Sequence, residues 1–403
     1  MRGTRVVRYN IEELNDEMVL GESIFLPSGE LLLAAGYKLK ERYRQRLKQL
    51  GYSDVLIEVA GTEQVQPEST VSESSQREMN NSVSTSTKEL ASAITKFRQK
   101  SNQRVKEIIK ENRQYLAKYI MTSSMAKALE QFIDEIMSQS SIVLNLSAIQ
   151  QTQPELLNHV LNVTITSLCI GKKYRLSYEE MKQLGVGAIN YDLGLIALNQ
   201  ELLEKKRNNK ELTAEELKQY RQHTIYGYLM LTQNPLIPST SVAVALQHHE
   251  QQNGGGFPQH LKGDNRPPIK DFSRQNMIHR FAEIVAVADT YDMLLTGRYN
   301  AGKKMDAKNA IKEVICMGGH ALNSDIVKTL VSIIPLFPVG ARVRIADAPT
   351  AQLTGYVGVV AKDNIENMER PQIILYETKN HQKIKPILID TSKYKGFTLE
   401  LIT

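Results

Sequence analysis

The 403-residue sequence is poor in cysteine, in histidine and in long apolar runs. Its two cysteines, Cys169 and Cys316, form no Cys-x-x-Cys pair and sit in apolar helical stretches. They offer no disulfide framework and no thiolate metal site, so both are expected to be buried thiols of a reducing compartment. No run of about 18 apolar residues occurs, so no helical membrane span is expected. The opening Met-Arg-Gly-Thr-Arg-Val-Val-Arg lacks the apolar core of a secretory signal. The expected location is therefore the cytoplasm. No repeat of solenoid period is present. A strong charge imbalance is missing too. The net charge of +6 suits an anionic ligand but is weak evidence for nucleic acid, and no stable nucleic-acid partner is expected.

What is present is enough apolar material, 41% of residues, for two or three domains. Residues 1–60 are expected to form a small α/β unit. In it Ser23–Leu26 and Glu30–Leu33 flank a Pro-Ser-Gly turn, Lys40–Leu50 is a basic helix, and Asp54–Val59 is a strand. Residues 61–88 are rich in Ser, Thr, Gln, Glu and Asn, and are expected to be a disordered polar linker. Helical patterns then dominate. Residues 89–150 are expected to be a helical segment and a candidate dimer contact. Its charged stretch, from Arg98 to Lys118, is expected to be a solvated helix face. Residues 151–335 are expected to be the main helical domain. Ser177-Tyr-Glu-Glu180 and Thr213-Ala-Glu-Glu216 are capping boxes that start two of its helices. After Pro335 come five short β-rich runs: Arg342–Ile345, Tyr356–Ala361, Gln372–Tyr376, Pro386–Asp390 and Phe397–Ile402. They predict a small β domain over 336–403. The fold class is mainly α: an all-helical core flanked by a small N-terminal α/β unit and a small C-terminal β domain.

The eight histidines are not scattered evenly. His248-His249-Glu250 runs into Gln-Gln-Asn-Gly-Gly-Gly256-Phe257-Pro258. Elsewhere in the helical domain Glu155 and His159 share a face, Asp192 ends an apolar segment, and His223 lies on an inward helical stripe. Asp289 and Asp292 interrupt the apolar run Ile284-Val-Ala-Val-Ala288. A lone inward histidine is most often a satisfied core residue, and a lone buried aspartate most often a hydrogen-bond hub. Several of each together, on different helices, point instead to a cation, because an ionised carboxylate in an apolar helix is costly without one or another partner. Imidazole and carboxylate ligands suit Fe, Mn or Zn rather than Ca. A carboxylate such as Asp192 can bridge two ions, the arrangement used for in-line phosphodiester hydrolysis. The glycine run permits close backbone approach to a ligand, on which Phe257 could stack.

In these residues the sequence resembles the HD-GYP family, bacterial cyclic-dinucleotide phosphodiesterases built on an all-helical HD-domain core. The matching positions are His159, Tyr191-Asp192-Leu-Gly194-Leu195, His223, His248-His249-Glu250, Gly256-Phe257-Pro258, Ala288-Asp289-Thr-Tyr-Asp292 and Arg298, over roughly residues 150–300. The resemblance implies that residues 151–335 are a metal-dependent phosphodiesterase domain that hydrolyses cyclic di-GMP to pGpG or GMP. It implies divalent cations, Fe or Mn, two expected and one as the alternative. It carries ligand roles to Glu155, His159, Asp192, His223, His248, His249 and Asp289, and catalytic roles to Asp192 and Glu250. It places Gly256, Phe257, Pro258 and Arg298 against the substrate. The chain departs from the family pattern at Tyr191 for the signature histidine, Leu195 for the signature lysine, and Phe257 for the Gly-Tyr-Pro tyrosine. An insertion falls within Arg266–Ile278. These departures leave an alternative open: a degenerate module that binds cyclic dinucleotide, or one metal, and signals to a partner protein. A simpler HD hydrolase of another phosphorylated nucleotide is a third reading, which the His-His-Glu loop disfavours.

Overall fold

The computed structural model describes the chain except residues 1–5, 26–30, 51, 53, 63–64, 66–68, 101–103, 140–141, 145–154, 233, 271–274, 299–302, 365–366 and 403. It divides into two compact units. One joins the two ends of the chain, Met1–Ser69 and Ile334–Thr403, with Val143–Pro154. The other comprises Thr70–Ile142 and Glu155–Ile333.

In the first unit β1 (Val6–Asn10) pairs antiparallel with β4 (Asp54–Glu58), and β2 (Ile24–Phe25) with β3 (Leu31–Leu33). The helix α1 (Glu41–Gln49) closes a small core through Leu47. The expected hairpin, basic helix and strand are all present. The Pro-Ser-Gly turn lies outside the described residues. The five C-terminal runs form β5 (Arg342–Asp347), β6 (Val357–Lys362), β7 (Gln372–Glu377), β8 (Lys383–Asp390) and β9 (Thr398–Leu401). They make one antiparallel sheet in the order β8-β7-β6-β5-β9.

Two separate domains over 1–60 and 336–403 are not what forms. Val7 and Val65, both buried, belong to the core of the C-terminal sheet, the Arg8 amide donates to the Gly340 carbonyl at 3.0 Å, and Arg342 pairs with Glu13 at 2.6 Å. A unit of 60 residues has too little apolar surface to close well alone, and here each end supplies part of the other's core.

The second unit is helical. Its outer helices are α2 (Glu73–Lys100), α3 (Val105–Glu111), α4 (Arg113–Ala117) and α5 (Ser123–Ser138). The expected linker is therefore helical from Glu73. Its few apolar residues are spaced for one face: Met79, Val83, Leu90, Ala93 and Ile94 are buried. Its serines are also held. Ser72 gives both its amide and its hydroxyl to the Glu135 carboxylate of α5, at 2.6 and 2.9 Å. Composition missed this stripe because polar residues outnumber it. The charged stretch is broken over α3 and α4, with Arg98, Arg104, Lys106, Lys110, Arg113 and Lys118 exposed. Its apolar side (Ile108, Ile109 and Leu116) is buried within this unit.

The remaining helices are α6 (Glu155–Lys173), α7 (Tyr178–Asn190), α8 (Gln200–Arg207), α9 (Ala214–Thr232), α10 (Ser239–Gln247), α11 (Arg280–Thr296), α12 (Ala307–Met317) and α13 (Ser324–Val331). Both capping boxes form. Ser177 and Glu180 bond each other's amides, as do Thr213 and Glu216. All of Leu161–Ile170 in α6 and Phe281–Asp292 in α11 is buried, which makes this pair the centre of the unit. Cys169 is buried there, and burial pushes its thiol up to about 12; Cys316, expected buried, is exposed. Among the described residues, no helix is long and apolar enough to cross a membrane.

Candidate metal centre

Five helices bring the polar residues together. α6 carries His159, α9 carries His223 and α11 carries Asp289 and Asp292. Tyr191 and Asp192 follow α7, and His248 and His249 follow α10. The approach of Asp192 to α9 depends on Gly194. A Cβ there would stand 1.9 Å from the His223 carbonyl oxygen and 2.5 Å from the Gly227 amide. Only glycine lets the turn after α7 lie directly on α9.

Asp192, His223, His248 and His249 form one donor cluster, with a ligand atom of each within 4.8 Å of the others. The tautomers are set from behind. The His223 Nδ1–H donates to the Tyr220 carbonyl at 2.7 Å and that of His248 to the Val244 carbonyl at 3.2 Å, so both turn an Nε2 lone pair inward. Those nitrogens are 3.4 Å apart, and each is 3.5 Å from Asp192 Oδ1. Three ligands placed tetrahedrally about 2.1 Å from one ion stand about 3.4 Å from one another. The Asp192 Oδ1 atom is buried and makes no hydrogen bond. A buried carboxylate oxygen with no donor is costly, and a cation supplies what it lacks. These residues fit a divalent metal.

Protonation agrees. Burial, reinforced by the neighbouring His248, lowers His223 to about 4 despite the opposing pull of Asp192. Burial likewise holds His249 well below its ordinary value. Burial alone would raise Asp192. Its contact with His248 and the charges of His223 and the other imidazoles override that and hold it well below the usual carboxylate range. At neutral pH the cluster is a carboxylate facing imidazoles, two of which are held neutral.

His159 and Asp289 lie elsewhere in the hydrogen-bond pattern. His159 Nδ1 is 2.6 Å from Asp292 Oδ2, and its Nε2 is 2.7 Å from the Tyr191 hydroxyl and 3.0 Å from Asp289 Oδ1. The Tyr191 hydroxyl donates to Asp289 at 2.9 Å. Its one proton is therefore committed, so His159 Nε2 is the donor to Tyr191 while Nδ1 donates to Asp292. The ring is an imidazolium. Burial opposes that charge, yet the bonds to Asp289 and Asp292 raise His159 to about 9. Asn162 completes the group by donating to Asp292 Oδ1 at 2.6 Å. Burial, with Asp289 beside it, keeps the Tyr191 phenol well above its usual value and so un-ionised.

Of the other expected residues, Glu250 is buried, but both its oxygens are occupied. They accept from the backbone amides of Gln259 and Leu261 at 2.7 and 2.9 Å. These bonds tie the expected catalytic residue to the backbone that follows the Gly-Phe-Pro loop. Gly256 lies against the backbone of His249 to Gln251, where a Cβ would stand 2.4 Å from each of three atoms. Phe257 precedes a cis peptide to Pro258 and stacks on His249, with centroids 4.7 Å apart and planes at 28°. Arg298 Nη1 is buried without a hydrogen-bond partner, and its charge bears on both Tyr191 and Tyr220. Glu155 opens α6, but its side chain lies outside the described residues. Three contributors went unassigned in the sequence. Asn162 and Asp292 stand three residues from His159 and Asp289 on the same helical faces, a spacing that could have found them. Arg221, 5.0 Å over the Phe257 ring, carried no such signal.

The helical fold and the His/Asp cluster define an HD-type domain, and residues 143–326 match the family model described as HD domain. Over these residues the chain is similar to several cyclic di-GMP phosphodiesterases. A cyclic di-GMP phosphodiesterase of Pseudomonas aeruginosa is 22% identical over 68% of this chain and 61% of its own. The cyclic di-GMP phosphodiesterase response regulator RpfG of Xanthomonas campestris is 33% identical over 34% of this chain and 33% of its own. A cyclic di-GMP phosphodiesterase of Thermotoga maritima is 26% identical over 51% and 50%. The chain thus spans less than two thirds of the length of each of these relatives.

Proposed function

We propose that the chain is a metal-dependent phosphodiesterase that opens cyclic di-GMP to linear pGpG or GMP in second-messenger signalling in the bacterial cytoplasm. One observation carries the proposal: the donorless Asp192 Oδ1 at the corner of a ligand-spaced triangle with His223 and His248. Asp192, His223, His248 and His249 would hold the cation, Fe or Mn by donor type. When bound, the cation supplies Lewis acidity and positive charge at a phosphodiester. The chain's own residues do the rest. Phe257, stacked on His249 and beneath Arg221, fixes the loop beside the cluster. Arg298 offers an unpaired guanidinium nitrogen to a phosphate oxygen. Glu250 keeps the loop in place.

A second reading is favoured by the Tyr191 hydroxyl between His159 and Asp289. It is a module that binds cyclic dinucleotide without cutting it and reports to a protein partner or to a second copy of this chain. The deciding experiment incubates Mn-loaded or Fe-loaded protein with cyclic di-GMP and separates the nucleotides by chromatography. Appearance of pGpG or GMP supports the enzyme. Calorimetric binding with no product supports the module. Neither binding nor product refutes both.

A further inference from the structure

We infer that this chain's centre takes one divalent cation, at Asp192, His223, His248 and His249, and that the Tyr191 side chain closes the place beside His159 and Asp289 to a second. The inference rests on the metal-dependent reading above and concerns its stoichiometry. Its support is the contrast between two halves of one polar group. In the first, Asp192 Oδ1 is left without a donor and the two Nε2 atoms stand at ligand spacing around it. In the second, no buried side-chain nitrogen or oxygen of His159, Tyr191, Asp289 or Asp292 lacks a partner; the unpartnered atom there is Asn162 Oδ1, a neutral amide oxygen. The Tyr191 oxygen lies within hydrogen-bond distance of both His159 Nε2 and Asp289 Oδ1, the two atoms a second ion would need. Asp292 takes the other imidazole nitrogen, and Asn162 the other Asp292 oxygen.

The tyrosine has nowhere else to go. Its ring is fully buried, with its edge against His248 at 4.9 Å between centroids. Metal–ligand bonds of about 2.0–2.2 Å leave no room for an ion between His159 and Asp289 while the Tyr191 oxygen stands between them. Seating one requires that this oxygen itself become a ligand, or that the ring leave the core.

The test is a titration of the full-length apo chain with Mn2+, read by elemental analysis after gel filtration and by electron paramagnetic resonance. The expected result is one ion per chain with an isolated-ion spectrum. D192N should lose that ion. H159Q should keep it with the spectrum unchanged, although His159 is a ligand by family resemblance. Y191H should gain a second ion and an exchange-coupled spectrum. Where H159Q does not fold, Y191F takes its place: it removes only the hydroxyl and should still hold at least one ion. Two ions per wild-type chain, loss of the ion in H159Q, or its loss in Y191F would overturn the inference while leaving the metal-dependent reading intact. No ion in the wild-type chain would overturn both.

Discussion

Glu250 tests whether a residue beside two candidate ligands works on the substrate or on the loop. Its oxygens accept two backbone amides, from Gln259 and Leu261, and the side chain is buried. In E250Q the shape is kept, but one oxygen becomes an NH2 group that faces an N–H. One hydrogen bond to a charged acceptor is lost, one buried amide is left without a partner, and the surviving bond is weakened. Together these cost about 2–4 kcal/mol. Native-state hydrogen exchange reads the cost locally. At about 1.4 kcal/mol per tenfold, the amides of Gln259 and Leu261 should lose about 30- to 1,000-fold in protection, while those of the buried helix α11 change little. Mn2+ stoichiometry should not change, since Glu250 is not in the donor cluster. Unchanged protection at both amides, with hydrolysis abolished, would refute the loop-holding role and restore the catalytic one.

Three more outcomes follow from the same geometry. G194A would press a Cβ into the His223 carbonyl. It should destabilise the fold by about 1–3 kcal/mol and weaken Mn2+ binding, measured by calorimetry; unchanged affinity would show that the turn after α7 does not place Asp192. M79A removes a side chain with 0% exposure from α2 and should cost about 2–5 kcal/mol in urea unfolding, whereas an effect near zero would return this segment to a linker. His159 has a folded pKa of about 9, above its ordinary value of about 6.5. Its contribution is therefore complete below about pH 6.5 and lost as pH rises through about 9, by about 3 kcal/mol. The urea midpoint of the metal-free protein should fall over that window and that of H159Q should not, and equal pH profiles would show that the imidazolium is not formed.

How much of this could be read from the chain depends on how local each signal is. The five C-terminal strands were legible because antiparallel runs punctuated by Gly, Pro and Asn carry their own pattern, and both capping boxes because the reciprocal bonds span only three residues. β1 was not, since Val6 and Val7 stand alone among arginines. Neither was the joining of the two chain ends, because Val7 meets the C-terminal core across more than 300 positions of sequence and nothing in either segment announces it. The stripe of α2 was present at helical spacing but diluted by serines, whose partner Glu135 lies on another helix. In the site, the residue types and their order were plain. The direction each side chain takes was not. Glu250 and His249 are neighbours in sequence, yet one turns to loop amides and the other to the donor cluster.

Tyr191 shows what one substitution does to a polar group shared between helices. A histidine there would bring a second lone pair toward the place between His159 and Asp289. A phenol brings an oxygen that keeps its proton, and that proton goes to Asp289. The consequence passes along the chain of bonds: His159 must donate rather than accept, it carries a positive charge, and Asp292 and Asn162 are arranged around that charge. The donor cluster on the other side keeps neutral imidazoles at His223 and His249 and a charged carboxylate at Asp192. The two halves differ in the bonds already made: Asp192 Oδ1 has no donor, while His159 Nε2 and Asp289 Oδ1 share the Tyr191 hydroxyl. That is why a metal count on the wild-type chain and H159Q distinguishes them before any substrate is added.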